Sequence, residues 1–332
     1  MKTIHEKSPC CGVQIQRFGG RRRRCAGCGK TWTVWKRKRG RSKHRPSTTV
    51  LLKYFRHQYG SIRQYALSRQ MKPRKIHARI QQTVRTYITH TPWPEIPSGP
   101  LVVIADALWQ PVGLDMYTIY FILFRSQYGT QAVVSKPWVA LGTESHAKGW
   151  HDAFAQVPME VQKRIVALVC DGIPELDHLA REQGWVLQRC HFHLLARFES
   201  YRSTGQKSFQ RKRNQLIKQW LTTVLISSNP DQLHTALDNL NLTQQALPAS
   251  KTFKSLLTGF LKHSAEYRSY LTSPDLHLPT TSNTAECLIG QVRRLQHQAR
   301  GFRNLESFLL WLEAYLKYKR SIACRGQKDQ QN

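Results

Sequence analysis

The sequence predicts an α/β fold: a mixed five-stranded sheet with helices, interrupted by an all-helical insertion and preceded by a small cysteine-held module and a helical module. Three observations predict it. Two continuous apolar runs, residues 101–105 (LVVIA) and 165–170 (IVALVC), read as strands buried on both faces, and an aspartate follows each. Between residues 199 and 279 the apolar positions recur at helical spacing. Within the first 45 residues lies a C-x-x-C-G knuckle.

Composition sets the class of partner. The 332 residues carry 51 Lys+Arg against 20 Asp+Glu, a formal charge of +31, which attracts a polyanion and speeds encounter with it. No apolar run approaches 18 residues and the N-terminus lacks the apolar core of a signal peptide, so a membrane partner is not expected. The expectation is a cytoplasmic, nucleoid-facing bacterial protein whose eight cysteines serve as ligands or core rather than disulfides.

Residues 1–45 form the first module, a zinc ribbon with a basic arm. Fifteen Lys+Arg and one acid, Glu6, give this segment about +14. Cys25 and Cys28, followed by Gly29, make one knuckle, and Cys11-Gly12 matches the second half of another. The expected first cysteine of that second knuckle falls on Ser8, so the fourth ligand of a Zn²⁺ ion is the adjacent Cys10, or His5 as the alternative. A hairpin through Gly19-Gly20 joins the knuckles, and so short a segment needs the metal to fold. Arg21, Arg22, Arg23 and Arg24 would then contact DNA phosphates.

Residues 46–90 read as three short helices. Leu51, Leu52 and Phe55 form one stripe; Ile62, Tyr65 and Ala66 a second, with Ser61 as cap; Ile76, Ile80 and Val84 a third from Pro73. With a basic third helix (Arg74, Lys75, Arg79, Arg85) this fits a DNA-binding helix-turn-helix, although a packing-only linker has the same pattern. Four prolines within residues 89–100 mark a boundary, with residues 91–100 as the linker.

The core follows in two parts, residues 101–198 and 280–324, around the insertion at 199–279. Strands are expected at 101–105, 117–124, 131–141, 165–170 and 185–189, with helices near 145–154 and 173–183. Three β, α, β, α, β is the order of an RNase H-like fold. Asp106 and Asp171 end two of its buried strands, where carboxylates could bridge divalent cations; strand-ending aspartates also make ordinary turns. A third acid, Glu286, opens a helix in TTSNTAE. Asn283 and Glu286 would equally form a capping box there. Arg293 lies two helical turns further on the same face, followed by Arg294, where a cation could hold a DNA phosphate. The stretch QRCHFHLL holds Cys190 and His193, open as half a metal site, a nucleophile with its base, or a buried strand end. The insertion carries two stripes, Leu216, Trp220, Leu221, Val224 and Leu225, then Phe253, Leu256, Leu257, Phe260 and Leu261. Residues 325–332 read as a disordered tail.

Taken in order, Asp106, the VCDG at Asp171, the C-x-x-H of Cys190 and His193, and the TTSNTAE leading to Glu286 resemble the Mutator-like DDE transposases, a group with many bacterial insertion-sequence members. The resemblance covers roughly residues 100 to 320. It implies an RNase H-like core in which Asp106, Asp171 and Glu286 hold two Mg²⁺ (or Mn²⁺) ions, with an all-helical insertion before the last acid. It implies binding to the element's terminal inverted repeats, cleavage and strand transfer into target DNA, and a homodimer or larger assembly on double-stranded DNA. Cys190 and His193 become a pair lying against the acids or the DNA. Ser8 in place of a cysteine departs from the pattern. Two rival functions stay open: a transposase-derived regulator that binds DNA without catalysis, and a structure-specific nuclease on the same fold.

Overall fold

The computed structural model describes residues 7–19, 22–33, 48–56, 61–68, 70–142, 148–200, 208–246 and 251–324. The chain divides into two compact units, Met1–Arg45 and Pro46–Asn332.

The first unit is a three-stranded antiparallel meander of β1 (Ile15–Arg17), β2 (Arg22–Cys25) and β3 (Thr31–Thr33). The expected hairpin appears as β1 against β2, in register from Ile15↔Cys25 to Arg17↔Arg23. Val13 and Phe18 are exposed, and none of the molecule's three apolar clusters includes a residue of this unit. Its sheet therefore has no apolar core among the described residues.

The second unit opens with α1 (Thr48–Phe55), α2 (Ile62–Ser68) and α3 (Pro73–His90). Pro73 sits where its missing N–H costs nothing, and the Ser61 hydroxyl caps α2 by accepting the Gln64 N–H at 3.1 Å. These helices share one apolar cluster with strands and helices of the sheet-bearing part, through Leu51, Phe55, Ile80 and Val84. Lys317 reaches back to donate to the Ile88 carbonyl at 2.9 Å.

The sheet elements are β4 (Leu101–Val112), β5 (Asp115–Ser126), β6 (Gln131–Val134), β7 (Trp138–Leu141), then α4 (Gly149–Ala155), α5 (Met159–Gln162), β8 (Ile165–Cys170), α6 (Pro174–Glu182) and β9 (Val186–Arg189). The remainder is α7 (His191–Ser200), α8 (Ser208–Ile226), α9 (Pro230–Ala246), α10 (Lys251–Lys262), α11 (Ser269–Thr272) between two 3₁₀ turns, α12 (Asn283–Ala299), α13 (Leu305–Lys319) and β10 (Ser321–Ala323). Strand order is β10-β6-β5-β4-β8-β9, with β7 also on β5. β4, β5 and β6 pair antiparallel, while β4, β8 and β9 run parallel. The mixed sheet has seven strands among the described residues, not the five expected. The single strand expected at 131–141 is two, since Pro137 has no N–H for the ladder, and the Ser135 N–H turns to the Ile122 carbonyl at 3.4 Å. β10 was too short to stand out. The helix expected near 145–154 begins at Gly149; residues 143–147 and 325–332 lie outside the described residues.

β4 is buried on both faces, as its unbroken apolar run requires. Leu101, Val103 and Ala105 join Trp150, Phe154 and Trp185 on one side. Val102 and Ile104 join Leu288, Val292, Phe308 and Tyr315 of α12 and α13 on the other. Region 199–279 is helical apart from short connections among its described residues, with its own cluster around Leu221, Leu257 and Phe260. Among the described residues no helix is long and apolar enough to cross a membrane.

One ionic network ties the helical region to the sheet. Arg189, at the end of β9 and almost fully buried, pairs with Asp177 of α6 and donates Nε to Glu266 at 2.5 Å. Its Nη1 also donates to the Gly172 carbonyl at 3.3 Å. Gly172 takes φ +89°, and a side chain there would run into that guanidinium. Burial alone would raise the Glu266 carboxyl, but hydrogen bonds and charge from Arg189 hold it below its ordinary value. Replacing Arg189 by leucine strands the buried Asp177 carboxylate and leaves Glu266 to Arg181 and His263, so urea unfolding should show a loss of about 3 kcal/mol. An unchanged midpoint would mean the network carries no stability.

Candidate functional site

Backbone alternation and strand register place the two predicted aspartates on one sheet face. Asp106 continues the Val102, Ile104 series, and Asp171 continues the Ala167, Val169 series, on the sheet face that α12 covers. β4 and β8 are in register at Ile104↔Val169, so the two aspartates lie at the same level of adjacent parallel strands. Asp171 follows β8 as expected, but Asp106 does not end its strand, because β4 stays paired with β5 as far as Val112. Glu286 arrives from the first turn of α12. Asp106 is pushed up to about 7, by burial first and then by the charge of Asp171, with Glu286 adding; His193 and the Ala107 N–H, 2.8 Å from Oδ1, oppose the shift.

Cys190 and His193 complete this cluster. Cys190 is fully buried at the turn from β9 to α7; its N–H donates to the Cys170 carbonyl at 2.7 Å and its Sγ accepts the Ser282 N–H at 3.3 Å. His193, three residues on, places Nδ1 3.5 Å from Glu286 Oε1 and 3.5 Å from Ser282 Oγ. Its pKa is pushed up to about 9, chiefly by the hydrogen bond with Cys190, with Asp106 and Asp171 adding and burial opposing. The imidazolium is thus a counter-charge for the acids. His191 faces elsewhere: Nε2 meets the Tyr267 carbonyl at 2.7 Å, and burial lowers its pKa.

The start of α12 corrects one alternative. Ser282, not Asn283, is the N-cap, no side chain caps the helix, and Asn283 is exposed. The capping box does not form, and the Glu286 carboxylate is left to face His193 instead. Ser282 is the site residue that sequence reasoning missed. A serine just before a helix was the available signal, outweighed there by the Asn283–Glu286 spacing.

The cysteine site of the first unit is built from two matching turns. Gly12 N–H donates to the Ser8 carbonyl and Gly29 N–H to the Cys25 carbonyl, each at 3.0 Å, and both glycines have positive φ, +64° and +71°. Ser8 holds the first position of its turn without being a ligand; its Oγ lies 3.2 Å from Cys25 Sγ. Cys10, inside the turn, supplies the missing sulfur, 3.4 Å from Cys28 Sγ. The ligand atoms of Cys10, Cys11, Cys25 and Cys28 all lie within 4.8 Å of one another, a set that could bind a metal such as zinc. Cys28 and Cys25 nearby push the Cys11 thiol up to about 12, whereas Ser8 and backbone N–H groups bring Cys25 down to about 6. Four sulfurs that cannot all ionise beside one another are what a cation would resolve.

The basic residues are more scattered. Arg22 and Arg24 are exposed on β2 and Arg23 half-buried; Arg74, Lys75 and Arg79 are exposed on α3; Arg293 and Arg294 are exposed on α12. Arg85 is engaged with Glu306 at 2.9 Å. Arg21 and His5 lie outside the described residues. No protein-family model matches the chain, and no curated protein matches it.

Two outcomes follow from this geometry. Cys10→Ser should abolish stoichiometric zinc, measured by metal analysis of the purified protein, while His5→Ala retains it; the reverse result would make His5 the ligand. Asp106 has a folded value near 7, above the 3.8 of a free aspartate. Protonation therefore stabilises the fold fully below about pH 4, and that stability is lost as pH rises through 7. Asp106→Asn should raise the urea midpoint at pH 8, with the gain shrinking toward pH 4.5. A gain independent of pH would mean the charge is not crowded.

Proposed function

We propose that the protein is a Mutator-like DDE transposase that binds the terminal inverted repeats of a bacterial insertion sequence, cleaves DNA there and joins it to target DNA. The observation that carries this reading is that Asp106 and Asp171 stand at one level of two parallel strands, on the sheet face covered by the helix that bears Glu286, with the charges of Asp171 and Glu286 both raising Asp106. The strand order, with these acids within β4, after β8 and on the helix that follows the helical region, supports an RNase H-like core.

The donor set fits Mg²⁺ or Mn²⁺: hard carboxylate oxygens, crowded and partly desolvated. When bound, a pair of such ions supplies activation of a water or a DNA 3′-hydroxyl and stabilisation of the leaving 3′-oxygen. Asp106 gives up its proton to act as a ligand, so metal affinity weakens below pH 7. His193 holds the Glu286 carboxylate until it is needed, and Cys190, through the Ser282 N–H, fixes where α12 begins. Arg293 and Arg294 offer charge to a phosphate beside the acids, while Arg22, Arg23, Arg24, Arg74, Lys75 and Arg79 suit the sequence-independent phosphate contacts of end binding. Zinc would hold the ribbon that carries the first of these groups. Action at paired ends calls for a homodimer or larger assembly at the nucleoid.

Asp171→Asn should abolish metal-dependent strand cleavage of an end-bearing duplex and leave its binding unchanged in a gel-shift assay. Retained cleavage removes Asp171 from the site. Cutting without joining by the unaltered protein identifies a nuclease instead, and binding without cutting a regulator.

A further inference from the structure

A recess of the second unit begins one residue beyond Asp171 and plays no part in the chemistry above. It has a volume of about 1160 Å³, between α6 and the end of β9 on one side and α7 and α10 on the other, and begins at Gly172. That exceeds the ~300–1,000 Å³ of ordinary small-molecule clefts, yet is far too small for a turn of duplex. Its floor is apolar, with Leu194, Leu256, Phe260 and Tyr267.

The charges around it are unequal. Asp177 is matched by Arg189, and Glu182 has His178 at 3.7 Å. Glu266 at the edge is held by Arg189, by Arg181 at 3.2 Å and by His263 at 2.9 Å. Arg197 of α7 and Lys262 of α10 line the same recess and are exposed. Among the described residues no carboxylate lies within ion-pair distance of either. Every acid in the recess is therefore answered, and two cations on the helical wall are left over.

We infer that this recess is a binding channel for single-stranded DNA, taking a few nucleotides of a strand that passes Asp171. An apolar floor with cations above it suits bases against the protein and phosphates at the rim, which is how sequence-tolerant single-strand sites work. The inference rests on the DNA reading given above and adds a strand-specific site to it.

The test uses the full-length protein with a fluorescein-labelled twelve-residue oligothymidylate, followed by anisotropy across a salt series without added divalent ion. Arg197→Ala/Lys262→Ala is compared with Lys136→Ala/Lys163→Ala, which removes equal charge elsewhere; thermal melts check that both pairs fold. The recess pair should weaken single-strand binding about tenfold and flatten the log K against log salt slope by about 1.4, two phosphates at ~0.7 each. Duplex end binding should stay as it was. Equal effects from the two pairs, or an equal loss on duplex, would overturn the inference. If the recess pair behaves as expected while the unaltered protein never cuts DNA, the transposase reading falls and the channel stands. If the protein cuts and joins but the slope does not move, only the channel falls.

Discussion

Like charges placed in a poorly solvated space must be answered, and much of this fold answers one such crowding. Asp106 sits within a strand that has apolar clusters on both faces, beside a parallel neighbour followed at the same level by a second aspartate, Asp171. Water there is reduced, and Asp106 is already held toward its neutral form. The surroundings then make sense as compensation. His193 is pushed toward its charged form by the same acids and by Cys190. Cys190 takes the N–H of Ser282 and thereby sets the first turn of α12, from which Glu286 reaches the imidazole.

The aspartates were legible because strand burial writes itself as an unbroken apolar run, and a charge ending such a run stands out. Glu286 was legible only through the resemblance. Its local sequence matched a capping box equally well, and only the tertiary partner His193, 93 residues earlier by numbering (286 − 193), decides which way the carboxylate turns. Long-range ionic groups left no local trace at all. Arg189, Asp177 and Glu266 occupy a strand, a helix and a 3₁₀ turn, and nothing in the spacing of three such residues announces a buried network.

Short elements were merged, as β6 and β7 were, or escaped, as β10 did, for a related reason. β6, β7 and β10 span three or four residues each, too few for alternation to separate a strand from a loop. Their place comes from β5, twelve residues long, which offers one stretch to β6 and another to β7. The helical hairpins of the insertion were readable in kind, but their attachment to the sheet runs through long-range partners, Arg189 to Glu266 and Gln188 to the Tyr267 carbonyl among them.

In the first unit, the sulfur of Cys10 does the work that the turn geometry assigns to residue 8, and the serine left in that place still touches the cluster through Cys25. The four sulfurs lie within residues 10–28, whereas Glu286 comes after more than four-fifths of the chain. A ribosome making this protein therefore releases all four cysteines 258 residues (286 − 28) before the Glu286 carboxylate.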